Sequence, residues 1–209
     1  MWDAQMVRFR HADRVDIRGA AAAFGAGAVA LAGGYLGLVT GAVPIDLGIG
    51  RRVRRLGPLK VDIAAPRELV FDVLSEPYYA RQTRAMAEKI EILERGSDMV
   101  LAAHRTPLHR GLVATTVETV RFSRPGRVDF RLTRGPVPHV VEQFVLTEID
   151  GRTRLAYDGE LGTDLWALGA HWGDIVAGPW QRTVADTFAA VKAEAERRAT
   201  HRAGEHRTG

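Results

Sequence analysis

Between residues 59 and 161 apolar side chains recur mostly at every second position; from residue 165 they recur at every third or fourth. The first period belongs to half-buried strands and the second to a helix with one buried face. Leu59–Ile63 alternates as a short strand, closed by Ala64-Ala65-Pro66. Arg67–Leu74 carries Leu69, Val70, Val73 and Leu74 at helical spacing, and Ser75-Glu76-Pro77 ends that helix. Tyr78–Ala87 reads as a second short helix with Tyr79, Thr83 and Met86 inward. Strand-like runs follow at Ile90–Arg95, Met99–Arg105, Leu112–Phe122, Val128–Arg134, Val140–Ile149 and Thr153–Leu161. Gly96-Ser97-Asp98, Arg124-Pro125-Gly126 and Asp150-Gly151 between them are hairpin turn signals. A helical stretch from Leu165 to Ala199 comes last, with Trp180, Val184, Phe188 and Val191 in one stripe and a kink or new start expected at Pro179.

The order is strand, two short helices, antiparallel meander, long helix, which is an α+β arrangement. A meander with one apolar face must be covered. The striped C-terminal helix is the element large enough to do so. A curved sheet wrapped on that helix leaves a cavity wherever side chains do not fill the space between them.

The N-terminal pattern is different. Residues 19–45 carry no charged side chain, and 16 of the 25 from Gly19 to Val43 are Gly or Ala. About 20 helical residues span a bilayer core, so this run is expected to be an uncleaved single-pass transmembrane helix. Gly33, Gly37 and Gly41 are four apart and predict a packing face for a transmembrane helix partner. Arg51, Arg52, Arg54 and Arg55 follow, in a stretch whose Gly48, Gly50 and Gly57 mark a linker. They predict contact with anionic lipids and place the large domain on the cytoplasmic side of the cell membrane. The expected organisation is a tail (1–18), a membrane helix (19–45), a basic juxtamembrane linker (46–58), a globular domain (59–199) and a flexible tail (200–209).

Charge sharpens the division. Residues 1–59 hold 8 basic and 4 acidic side chains, and residues 60–209 hold 21 of each. The domain lacks the basic face that nucleic-acid binding requires, so nucleic acid is not expected as a partner. The chain has no cysteine, which excludes disulfides, thiolate metal sites and a thiol nucleophile. No nucleotide-phosphate loop appears. Neither a metal nor a cofactor is signalled; His104 and His109 flank a polar turn without a carboxylate-rich motif to join them.

The segment Val61-Asp62-Ile63-Ala64-Ala65-Pro66, followed by Val70-Phe71-Asp72-Val73-Leu74, resembles the opening of the START-like superfamily, also called SRPBCC or polyketide cyclase/dehydrase-like. Gly151-Arg152-Thr153-Arg154-Leu155 and the closing helix resemble it too, so the likeness spans roughly residues 59–197. The resemblance implies a helix-grip fold around a hydrophobic cavity. Its members include lipid and sterol carriers, coenzyme Q-binding proteins and aromatic cyclases, with no common catalytic motif.

Within that fold, strand alternation turns Val128, Phe130 and Leu132 inward, and Val140, Glu142, Phe144 and Leu146 likewise. A carboxyl at Glu142 among apolar side chains should titrate high and can hydrogen-bond a polar ligand group. The other reading has the strand twist and Glu142 pair with an arginine at the rim. Tyr157 shares a face with Leu155 and Leu161 and offers a hydroxyl. Trp166, Trp172 and Trp180 cluster at the start of the long helix, where they roof a cavity, pack plainly or meet a membrane interface. His139 ends a stiff Gly-Pro-Val-Pro loop, and His171 and Asp174 stand at i, i+3. The expected ligand-binding set is Phe130, Leu132, Glu142, Phe144, Leu146, Tyr157, Trp172 and Trp180. The expected function is a membrane-tethered domain that binds a hydrophobic small molecule such as a lipid, quinone or polyketide-like compound. The alternatives are a cyclase or dehydratase using Glu142, His139 or Tyr157, and an accessory subunit of a membrane complex.

Overall fold

The computed structural model describes residues 33–38, 40–43, 46–79, 89–107 and 113–208. Its elements run β1 (Arg52–Ile63), α1 (Arg67–Tyr79), β2 (Ile90–Arg95), β3 (Met99–Pro107), β4 (Val113–Ser123), β5 (Arg127–Arg134), β6 (His139–Ile149), β7 (Arg152–Thr163) and α2 (Trp166–Thr208). The strands form one sheet in the order β1-β7-β6-β5-β4-β3-β2, antiparallel throughout. From β2 to β7 each strand pairs with the next in sequence. β1 closes the series by lying beside β7.

Alternation decides the two faces. Ala114, Thr116, Glu118, Val120 and Phe122 of β4 are buried, and so are Val140, Glu142, Phe144 and Leu146 of β6, while the residues between them are more open. α2 covers this inner face with Val184, Phe188, Val191 and Ala195, and α1 adds Leu69, Val70, Phe71, Leu74 and Tyr78. Full burial of a large aliphatic or Phe side chain is worth about 1.5–3 kcal/mol, so this shared core dominates the stability. At the end of β1, buried Thr153 donates its hydroxyl to Ala65 O at 2.7 Å and fixes the turn into α1.

The meander strands fall where alternation places them, to within two residues at each end. The helices depart from expectation. α1 continues through Pro77 to Tyr79, and Tyr78, not Tyr79, is the buried ring; residues 80–88, which held Thr83 and Met86, lie outside the described residues. α2 is continuous across Pro179 and on to Thr208. The helix is tied down on both sides of Pro179: Trp172 Nε1 donates to Pro136 O in the β5–β6 connection at 2.8 Å, and Trp180 Nε1 to Glu142 of β6 at 2.7 Å.

β1 starts inside the stretch read as a linker. Leu56 is fully buried there, and the neighbouring arginines meet acids of the same domain. Arg51 binds Asp46 and Asp164, Arg54 binds Asp174 at 2.5 Å and Arg55 binds Asp158 at 2.8 Å. Arg52 pairs in register with Thr163 at the edge of the sheet. The expectation that these four arginines face anionic lipid therefore lacks support, since three of them are matched intramolecularly.

The membrane placement is overturned. Among the described residues no helix is long and apolar enough to cross a membrane. Residues 19–32, 39, 44 and 45 of the expected span lie outside the described residues. Helix covers 33–38, and Gly41 lies beyond it with φ +73°. Thr115 N donates to Thr40 O at 2.9 Å, and Arg134 Nη2 to Ala42 O at 2.9 Å. The backbone at 40–42 is thus hydrogen-bonded to β4 and β5. Gly33, Gly37 and Gly41 do not form one helical face, because Gly41 falls after the helix; a Cβ on it would stand 2.4 Å from Thr115 O.

Candidate functional site

Phe130 of β5, Glu142 of β6 and Gly159 of β7 lie side by side across three strands, and Phe144 sits opposite Tyr157. Antiparallel neighbours share a face, so a polar carboxyl is presented in the middle of an aromatic surface. Ring centroids are 4.8 Å apart for Phe130–Phe144, 5.6 Å for Phe144–Tyr157 and 5.2 Å for Phe144–Phe188. Glycine at 159 allows the close approach: a Cβ there would meet Val141 O at 2.9 Å and Glu142 Cγ at 3.1 Å.

Glu142 is 5 % exposed. Tyr157 Oη donates to its Oε1 at 2.6 Å, and Trp180 Nε1 donates to the same oxygen at 2.7 Å. Burial pushes the Glu142 carboxyl up to about 7, and the nearby Glu118 charge adds to that; the two donors pull in the opposite direction without prevailing. Burial likewise raises the Tyr157 hydroxyl above its ordinary value. Near neutrality Glu142 is therefore poised between an acceptor-only carboxylate and a carboxylic acid able to donate a hydrogen bond.

A second buried polar group stands two strands away. Glu118 of β4 is 7 % exposed and lies opposite Leu132 of β5. His104 of β3 places Nδ1 3.3 Å from Glu118 Oε2 and Nε2 3.0 Å from Tyr78 Oη. Burial raises Glu118 to about 7 against an opposing bond from Thr116, and burial lowers His104 to about 4.

No protein-family model and no curated protein matches the sequence. Solved structures do match. The Zhui aromatase/cyclase from Streptomyces sp. R1128 superposes with a TM-score of 0.54 at 23% identity, over 70% of this chain and 96% of that one. The di-domain aromatase/cyclase StfQ from the steffimycin biosynthetic pathway gives 0.56 at 13% identity, over 71% and 52%. Norcoclaurine synthase from Thalictrum flavum, in complex with dopamine and hydroxybenzaldehyde, gives 0.51 at 10% identity, over 69% and 87%. The fold is a helix-grip. Identities this low establish the fold alone.

The structure gathers Phe130, Glu142, Phe144, Leu146 and Tyr157 on one buried face, with Trp180 reaching in from α2. Leu132 is partly buried against the same core. Glu142 takes its bonds from Tyr157 and Trp180, and not from an arginine at the rim. Trp172 also packs partly buried against that core and donates to the Pro136 carbonyl, whereas Trp166 is 56% exposed. His139 is removed from Glu142 by strand parity: it lies on the other face and pairs with Glu160 at 2.8 Å. Asp174 pairs with Arg54, not with His171. His109 lies outside the described residues. A groove of about 530 Å³ among the described residues lies mainly over the outer face, lined by residues including Arg55, Arg127, Asp129, Val141 and Asp158; of the expected ligand-binding set only Glu142 touches it.

Glu118 and Tyr78 were missed at the sequence level. The signal for Glu118 was present, since Thr116, Glu118, Val120 and Phe122 alternate as Val140, Glu142, Phe144 and Leu146 do.

Proposed function

We propose that this protein binds a hydrophobic small molecule bearing an oxygen function, held between the inner face of the sheet and α2. The reading rests on one observation: a carboxyl, buried on the same sheet face as Phe130 and Phe144, with both of its bonded donors on a single oxygen. A buried carboxyl costs stability unless it is compensated. Oε2, clear of those two donors, is a polar point for a ligand carbonyl or hydroxyl. Lipids, quinones and polyketide-like compounds all have this combination of apolar body and oxygen group. The helix-grip neighbours support the class, as one of them was solved with small aromatic molecules.

A second reading is an enzyme of the cyclase or dehydratase kind. The 2.6 Å contact between Glu142 and Tyr157 favours it, because a carboxyl titrating near neutrality is matched to proton transfer.

Native mass spectrometry of the purified full chain, followed by titration with palmitic acid, a naphthoquinone and a hydroxyanthraquinone, tests the proposal. Wild type should retain or take up a hydrophobe, and Leu146→Trp should reduce uptake by filling the interior. Absence of binding for every compound would overturn the reading. Conversion of a bound compound by wild type and not by Glu142→Gln would favour the enzyme.

A further inference from the structure

The Tyr78–His104–Glu118 cluster is not used by the proposed contact at Glu142. It is an expensive thing to bury. Three titratable side chains from α1, β3 and β4 meet there, and the Tyr78 ring contacts His104, Phe122 and Phe130. A purely structural polar cluster is expected to satisfy its members, since each unpartnered buried group costs about 1–3 kcal/mol. This one does not. Among the described residues buried His104 Nδ1 has no hydrogen-bond partner; Glu118 Oε2, at 3.3 Å, is near it without forming a hydrogen bond. Whichever ring nitrogen carries the proton, the Tyr78 contact occupies Nε2, so the unused capacity is at Nδ1.

The cluster also has a fixed place relative to Glu142. Glu118 and Glu142 lie on the same face of β4 and β6, with Leu132 and Phe130 of β5 between them. Adjacent strands are spaced about 4.8 Å apart and the two positions are offset by two residues along β5, so roughly 12 Å separates these carboxyl-bearing positions. Between them the surface is aromatic: Tyr78 contacts Phe130 at 6.4 Å, and Phe130 contacts Phe144 at 4.8 Å. The core thus holds two polar groups joined by a row of contacting aromatic rings.

We propose that Tyr78, His104 and Glu118 form a second polar station for the same ligand, and that the ligand is an extended, flat, mostly apolar molecule with an uncharged oxygen group at each end. This rests on the proposed function, with Glu142 taking one end. Burial keeps the His104 ring neutral at neutral pH, so the station offers hydrogen bonds to a hydroxyl or carbonyl rather than a cation to an anion.

The test uses 4,4′-dihydroxybiphenyl, 4-hydroxybiphenyl and biphenyl on the full chain, read by titration calorimetry. Wild type should bind the dihydroxy compound about tenfold more tightly than the monohydroxy one, the value of one well-placed hydrogen bond. His104→Phe should abolish that preference and leave monohydroxy binding within about twofold. Glu118→Gln, checked by circular dichroism alongside it, should reduce the preference as well and serves if His104→Phe does not fold. Retention of the preference in a folded variant overturns the second station while the proposed function stands. Equal affinity of wild type for both phenols overturns it too. If wild type binds none of the three compounds, the shared reading of the interior fails and this inference fails with it.

Discussion

Trp180 Nε1 stands 2.7 Å from Glu142 Oε1, joining the middle of the long helix to the middle of the sheet. The contact lies one residue after Pro179, where α2 lacks a backbone donor. A helix weakened at that point is held by a side-chain bond to the sheet's one carboxyl on β6 that faces inward. Structure and candidate chemistry therefore meet in the same group, and substitutions of Glu142 separate them.

Glu142→Gln keeps an oxygen acceptor for Tyr157 and Trp180, so it should change stability by no more than about 1 kcal/mol. Glu142→Leu removes the acceptor and strands both donors, which should cost about 2–4 kcal/mol. Chemical denaturation of the two variants measures the difference. Equal losses would mean that Tyr157 and Trp180 do not depend on this carboxyl.

Stability should fall as pH rises from about 5 to 8. Burial lifts the Glu118 and Glu142 carboxyls to about 7 from an ordinary 4.5, so the folded state holds protons that the unfolded chain releases. Their contribution is complete below about 4.5 and is lost as pH rises through about 7. His104 has the opposite sign: lowered to about 4 from 6.5, its contribution is present above 6.5 and lost as pH falls through about 4. Two carboxyls outweigh one ring across the window. Thermal melts should show a decline of several degrees in Tm between pH 5 and 8, and Glu118→Gln should flatten it. A Tm that is level or rising over that range would contradict the assignment.

Much of the fold was legible because the meander obeys one rule, alternation. The inward placement of Glu142 came from its parity with Val140, Phe144 and Leu146 alone. The same parity put Glu118 inward, but a lone acid between threonines on β4 looks like an exposed position until His104 and Tyr78 arrive from other elements. Tyr78 was hidden by helix phase: α1 runs through Pro77, and that continuity turns Tyr78 inward in place of Tyr79. The arginine cluster misled for a different reason. Arg54 and Arg55 find Asp174 and Asp158 more than a hundred residues away, and no local pattern announces such a pairing. The charge-free run before them satisfies a length rule for a membrane span. The hydrogen bonds of Thr40 and Ala42 to the sheet were invisible in composition.

Asp164 fastens the start of β1 to the start of α2. Its Oδ2 accepts from Leu47 N at 2.7 Å and Gly48 N at 2.8 Å, and its Oδ1 from Arg51 Nε at 2.8 Å. Asp164→Ala removes the acceptor for two backbone amides and a guanidinium together. The expected cost is about 2–3 kcal/mol. Hydrogen exchange should localise it: Leu47 and Gly48 should lose protection, while Phe144 in β6 keeps it until global unfolding. Uniform loss across the sheet would show that the contact is not a local fastening.

Gly159 controls how closely β7 approaches β6 at Glu142. A Cβ at 159 would stand 2.9 Å from Val141 O and 3.3 Å from Glu142 Cα, both backbone atoms that move only with the strand, and 3.1 Å from Glu142 Cγ. Gly159→Ala must therefore shift the β6–β7 pairing or tilt Glu142, and either displaces the carboxyl from Tyr157 and Trp180. Overpacking of this kind costs about 1–3 kcal/mol. Gly126 is the control, because a Cβ there meets nothing within 4 Å and its φ is not positive. Gly126→Ala should be neutral to about 0.5 kcal/mol. The tilt should also register at the indole, as a shift in Trp180 emission that Gly126→Ala lacks; Trp180→Phe in each background identifies the signal. If Gly159→Ala matches Gly126→Ala in both stability and emission, the close approach at Gly159 is not what holds Glu142 in place.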